Sequence, residues 1–87
     1  MKKYMVALFN VELSMIMATR MVDSLEAVRS TFDAFADEYL DDWPEMSTID
    51  KDCYFDCRGY QDSKDTGYMV QWFELEADGS FDNPVKL

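Results

Sequence analysis

The chain has 87 residues, 48% of them hydrophobic and 15% aromatic, with eighteen acidic side chains against eight basic ones, no histidine and a formal net charge of −10. That apolar content excludes a disordered polyelectrolyte, and the length fits one small acidic domain spanning 1–87. The charge excludes direct binding to nucleic acid or anionic lipid, which such a surface repels, and favours proteins built to bind those polyanions.

From Lys3 to Val22 the chain is rich in Val, Ile, Phe, Tyr and Met and alternates from Val11 to Met15. It therefore reads as extended chain, either one long bent strand or, the favoured reading, two strands of a hairpin turning near Asn10 to Ser14, although no Gly or Pro marks the turn. Lys2-Lys3 followed by an apolar run superficially resembles a secretion signal, but Asn10, Glu12 and Ser14 interrupt the run and no small-residue cleavage site follows. No segment approaches the roughly 18 apolar residues of a membrane span. Two cysteines, Cys53 and Cys57, are too few for a disulfide-stapled secreted fold. A cytoplasmic protein is expected.

Asp23-Ser24-Leu25-Glu26 reads as a capping box with Asp23 as N-cap. Behind it Leu25, Val28, Phe32, Phe35, Ala36 and Tyr39 share one helix face, and the helix is expected to end near Leu40 to Asp42, before Trp43-Pro44. The opposite face carries Glu26, Asp33, Asp37 and Asp41, a carboxylate stripe about 22 Å long at roughly 1.5 Å per residue. Pro44 to Thr48 reads as a linker. Ile49 to Tyr60 then alternates as a strand, with Ile49, Cys53, Phe55 and Cys57 on one face and Asp50, Asp52, Tyr54, Asp56 and Arg58 on the other. Gln61 to Gly67 is a polar turn and Tyr68 to Glu76 a further strand. Ala77-Asp78-Gly79-Ser80 signals a tight hairpin turn, and Phe81 to Leu87, interrupted by Pro84, a short edge strand. The order ββαβββ predicts an α+β fold: a small antiparallel sheet with one amphipathic helix packed on it.

The residues that carry chemistry elsewhere lack company here. On a strand Cys53 and Cys57 stand roughly 13 Å apart, beyond a disulfide and awkward for a shared ion, so they read as small buried hydrophobes. Asp50-Lys51-Asp52 with Asp56 fails as a calcium loop, because Phe55 holds the sixth position and Gln61 the twelfth. The set Asp62, Asp65 and Gly67 fails likewise, with Phe73 at the twelfth. No histidine base, Gly-rich phosphate loop or nucleophile elbow accompanies the carboxylates, so no catalytic residue, metal site or cofactor is expected. Met5, Met15, Met17, Met21, Met46 and Met69 read as core and dimer seam, and Trp43, Tyr54 and Trp72 as exposed or half-buried interface anchors.

Between Asp33 and Asp56 nine acids meet one base, Lys51. Surfaces kept charged for solubility mix both signs, and this one does not. On a strand Asp50, Asp52 and Asp56 would be spaced by multiples of about 6.6 Å, comparable to neighbouring phosphates. The expected partner-binding residues are Asp33, Asp37, Glu38, Asp41, Asp42, Glu45, Asp50, Asp52, Tyr54 and Asp56.

In size, charge and this acidic segment the chain resembles the DNA-mimic inhibitors that bacteriophages make against host DNA-binding proteins, among them blockers of histone-like HU, restriction enzymes, CRISPR effectors and uracil-DNA glycosylase. The resemblance implies a non-enzymatic, phage-encoded inhibitor in the host cytoplasm that occupies the DNA-binding surface of a basic protein. HU is the favoured target, since a mimic without bases copies charge and spacing only. The alternative is a small interaction module or subunit that binds through Trp72, Tyr68 and the sheet while its acids solvate it. The large side chains of Tyr4 to Val22 exceed what one helix face covers, which predicts a homodimer with Met15, Met17 and Met21 near the seam.

Overall fold

The computed structural model describes residues 2–63 and 67–76. Two eight-residue strands, β1 (Lys3–Asn10) and β2 (Met15–Val22), form the expected hairpin. Its turn works without glycine. Asn10 Oδ1 accepts the Leu13 N–H at 3.1 Å, and Ser14 takes the left-handed conformation at φ 53°. Helix α1 (Leu25–Tyr39) follows, then a single 3-10 turn (Trp43–Glu45), a second helix α2 (Thr48–Asp56), and strands β3 (Gly59–Gln61) and β4 (Tyr68–Leu75). The four strands form an antiparallel sheet in the order β2-β1-β4-β3. The expected α+β architecture therefore holds, with α1 packed on the sheet as its amphipathic helix. The turn at Ala77 to Ser80 and the strand at Phe81 to Leu87 lie outside the described residues.

Three local expectations are corrected. The N-cap of α1 is Ser24, whose hydroxyl accepts the Ala27 N–H at 3.1 Å, so Asp23 stands one residue outside and no capping box forms. Ile49 to Asp56 is helix rather than strand. Ser47 caps it by accepting the Asp50 N–H at 3.2 Å, and Asp50 in the first turn suits the positive end of the helix. Helix α2 ends where Arg58 adopts φ 65°, the left-handed step that closes many helices, and only the short β3 remains of the expected strand. Trp43 and Trp72 are core residues, 0% and 6% exposed, instead of interface anchors.

The main core lies between the sheet and the helices. Tyr4, Val6 and Leu8 of β1, Tyr60 of β3 and Val70 and Trp72 of β4 meet Val28, Phe32, Ala36, Leu40 and Trp43. Of the face expected from the spacing, Val28, Phe32 and Ala36 are buried, Phe35 and Tyr39 half-buried, and Leu25 is exposed. Trp43 sits edge-on to Phe32 at 5.5 Å and against Tyr60 at 5.7 Å, so the 3-10 turn ties α1 to β3. The other side of the sheet carries a smaller cluster of Ala7, Phe73 and Leu75, with Met5 and Phe9 packed against it. Of the methionines, Met69 is buried, Met5 and Met46 are half-buried, and Met15, Met17 and Met21 are exposed on β2. Because Trp43 is wholly enclosed, Trp43→Ala is expected to lose about 3–5 kcal/mol of unfolding free energy in a urea titration. That is a large part of what a domain of this size holds.

Candidate partner-binding surface

Helices α1 and α2 and the 3-10 turn between them lie on the same side of the sheet, and residues 25–56 hold ten acids against Arg29 and Lys51. The expected site residues divide into two groups by what each carboxylate already does.

Three of them, Asp33, Asp42 and Asp52, serve the fold, and Asp62 beside them does too. Asp33 Oδ2 accepts Arg29 Nε at 3.2 Å while its Oδ1 is enclosed without a partner among the described residues. Arg29 then reaches across to α2, where its Nη2 lies 2.7 Å from Asp52 Oδ1 and its guanidinium covers the Phe55 ring at 5.0 Å. Asp33 and Asp52 are thus partly neutralised by one arginine that ties the two helices. Asp42 accepts the Tyr60 hydroxyl at 3.2 Å, the Ser63 N–H at 3.0 Å and the Ser63 hydroxyl. Asp62, buried at 4% exposure, accepts the Asp41 N–H at 2.6 Å. Tyr54 is 37% exposed, with its ring packed on Tyr60 at 4.2 Å, so part of its surface is already used. Sequence reasoning missed Arg29 and Asp62. Arg29 stood at i−4 to Asp33, a helix pairing readable from the spacing.

The remaining acids face solvent. Asp37 and Glu38 occupy the last turn of α1, Asp41 follows it, Glu45 lies in the 3-10 turn, Asp50 opens α2 and Asp56 closes it. None of these carboxylates has an ion pair among the described residues. The strand-like alternation of Asp50, Asp52 and Asp56 is replaced by helical geometry. Asp52 and Asp56 share a face about 6 Å apart along the axis, as do Asp33 and Asp37, while Asp50 turns to the other side with Cys53, Tyr54 and Cys57. The expected phosphate-like row of free carboxylates is not kept, because each of these i,i+4 pairs contains one acid bonded to Arg29.

The last turns of both helices contain acids and no base. The negative end of a helix dipole disfavours acids there, so these positions cost stability instead of adding it. The nearest cations are withdrawn onto rings, with Lys51 over Trp43 at 5.6 Å and Arg58 over Trp72 at 4.8 Å.

The cysteines and the sheet anchors are corrected as well. Cys53 and Cys57 are free and exposed on α2 instead of buried, about 6 Å apart along the helix. The proximity of Cys57 pushes the Cys53 thiol up, with loss of hydration and the nearby Asp50 and Asp56 adding to it. Trp72 lies under Phe55 and Arg58, so it offers no surface for a partner, and Tyr68 is half-buried against Tyr39. Among the described residues no group of three or more Cys, Asp or Glu is arranged to hold a metal ion, and no helix is long and apolar enough to cross a membrane.

The Asp42 cluster gives the fold a pH signature. The Ser63 hydrogen bond, helped by Asp62 and Tyr60, holds the Asp42 carboxyl below its ordinary value of 3.8, so its contribution is present above that value and is lost as pH falls further. Burial, then the bond to Asp42, raises Tyr60 above its ordinary 10.0, so its contribution is present below that value and is lost as pH rises through the folded-state value. Denaturation midpoints measured across pH should show Asp42→Asn flattening the acid limb and Tyr60→Phe the alkaline limb.

No family model, curated protein or solved structure matches the chain, so the arrangement of charge on this surface carries the functional reading by itself.

Proposed function

We propose that this chain is a DNA-mimic inhibitor, encoded by a bacteriophage and acting in the host cytoplasm, that covers the DNA-binding surface of a basic host protein of the histone-like HU type. The observation that carries this reading is the set of exposed acids, without ion pairs among the described residues, at the wrong ends of two helices: Asp37 and Glu38 on α1 and Asp56 on α2. A surface arranged for stability or solubility would place lysine or arginine there. Acids that stand against the helix dipole are explained by a cationic partner that meets them. Asp41 and Glu45, between the two helices, extend the same charge. Such an inhibitor performs no reaction and needs no cofactor. It acts by displacing the polyanion for which the partner's basic surface is built.

The energetic conflict makes the reading testable with single substitutions. Asp37→Asn, Glu38→Gln and Asp56→Asn are each expected to raise unfolding free energy by about 0.3–1 kcal/mol, and the triple variant to bind purified HU at least tenfold more weakly. Calorimetric titration against HU at about 50 and 200 mM salt should show a steep loss of affinity for the parent chain and a shallower one for the triple variant. Tight binding that ignores both salt and these three acids would overturn the mimic. Such a result would favour an ordinary interaction module that uses another face.

A further inference from the structure

Among the described residues β2 pairs with β1 on one side and with no strand on the other. An edge strand presents backbone N–H and C=O groups to any chain that approaches, and native proteins guard such edges with charges, proline or bulges. Strand β2, Met-Ile-Met-Ala-Thr-Arg-Met-Val, has no proline and a single charge, Arg20. It carries one bulge, where the register slips between Leu8 and Phe9 and Met17 becomes the extra residue. Ile16, Met17 and Met21 are 60%, 44% and 54% exposed along this edge. Beside it lies an open apolar hollow of about 310 Å³ lined by Phe9, Val11, Met15, Ile16 and Met69.

The geometry points to a second copy of this chain as the occupant, joined by antiparallel β2–β2 pairing across a two-fold axis. Three observations favour self-association over another partner. First, an antiparallel ladder between identical strands is two-fold by construction, so one exposed edge satisfies both copies and closes the assembly. Second, the charge is polarised. Residues 2–22 hold Lys2, Lys3 and Arg20 against Glu12 alone, whereas α2, the acid-rich helix, packs at the β3 end of the sheet. Two chains of net charge −10 therefore approach with least repulsion edge to edge through β2, which keeps their acidic ends far apart. Third, the register suits the side chains. Ala18, Arg20 and Val22 pair with Leu8, Val6 and Tyr4 on the helix side, while Thr19 and Met21 pair with Ala7 and Met5 on the other. An axis at Thr19 sets each Met17 against the second copy's Met21, next to the apolar hollow. It also sets each Arg20 against an Ala18, so that the arginines do not oppose one another.

This inference stands apart from the mimic reading, since a monomer keeps its acidic helices. Sedimentation equilibrium of the full chain at about 100 μM and moderate salt is expected to give twice the 10.2 kDa monomer mass. Met17→Lys and Met21→Lys change exposed side chains, so circular dichroism should remain that of the parent. Each is expected to raise the dimer dissociation constant at least tenfold. Leu13→Lys, in the hairpin turn and outside the ladder, should leave it unchanged. Hydrogen exchange on the parent gives an answer independent of any variant: β2 amides should be better protected at 100 μM than at 1 μM, while those of β4 should not change. A monomer at 100 μM, a dimer indifferent to both lysines, or β2 protection that does not depend on concentration would each overturn the proposal.

Discussion

Helix α2 has no fully buried residue, and what fixes it to the molecule is the meeting of Phe55 with Trp72. The two rings stack at 5.1 Å, and the Trp72 indole N–H donates to the Phe55 carbonyl at 2.8 Å, so one side chain of the central strand β4 holds both the side chain and the backbone of the helix. Phe32 of α1 closes the same cluster edge-on to Phe55 at 5.7 Å, and Tyr4 of β1 lies edge-on to Trp72 at 6.2 Å. Aromatic pairs in such arrangements contribute about 0.5–1.5 kcal/mol each beyond the area they bury. That concentration of apolar area lets a nine-residue helix with three exposed acids and a half-exposed lysine stay docked. Without the cluster, an isolated helix of this length would not form in water.

Arg29 converts this docking into an arrangement of charge. Its guanidinium lies over Phe55 and between Asp33 and Asp52, so the arginine, two acids and a ring form one assembly across the helix pair. The two bonded carboxylates and the opposed charge hold its proton more tightly, against the opposing effect of partial burial, which is the largest single influence. An exposed pair contributes little to stability, but a shared cation joining two helices removes repulsion that would otherwise drive them apart. Of the acids left outside this arrangement, Asp37, Glu38 and Asp56 lie at the helix C-termini, Asp41 and Glu45 lie between the helices, and Asp50 opens α2. Attraction within the chain therefore holds the layer together, and the unneutralised remainder faces outward.

Strand β1, α1 and β4 were legible because each buries a set of side chains with its own period. Val6 and Leu8 alternate, Val28, Phe32 and Ala36 recur at helical spacing, and Met69 to Phe73 form an unbroken buried run on a strand covered on both faces. Helix α2 was not legible from periodicity. It packs through Phe55 while Ile49 stands 80% exposed, so its apolar residues follow no helical stripe and their alternation imitates a strand. The decisive local signal was Ser47, three residues before Asp50, a cap that outweighed the alternation. The tryptophans misled for a related reason. Next to Pro44 and amid acids, Trp43 reads as surface, and only the tertiary meeting of α1 with β3 encloses it. At the candidate surface, composition identified the acidic segment but could not separate Asp33, Asp42 and Asp52, which serve the fold, from Asp37, Glu38 and Asp56, which do not. That separation depends on where Arg29, Tyr60 and Ser63 arrive in space.

The same topology sets up the polarity of the whole molecule. In the order β2-β1-β4-β3 a strand with Arg20 and no acid lies at one edge, and the strand that leads out of α2 lies at the other. The connection from β2 to β3 through both helices carries the acidic segment over the helix side and, among the described residues, leaves the first hairpin alone at the far edge. A chain of this charge has few ways to expose apolar side chains without also presenting acids beside them, and an edge formed by the first hairpin is one of them. Repulsion among the acids then acts as a selector: it disfavours contacts through the helix layer between like chains and keeps that layer open to a cationic surface. Charge segregation and strand order are in this sense one feature, since exchanging the positions of β2 and β3 would set the exposed methionines beside the carboxylates.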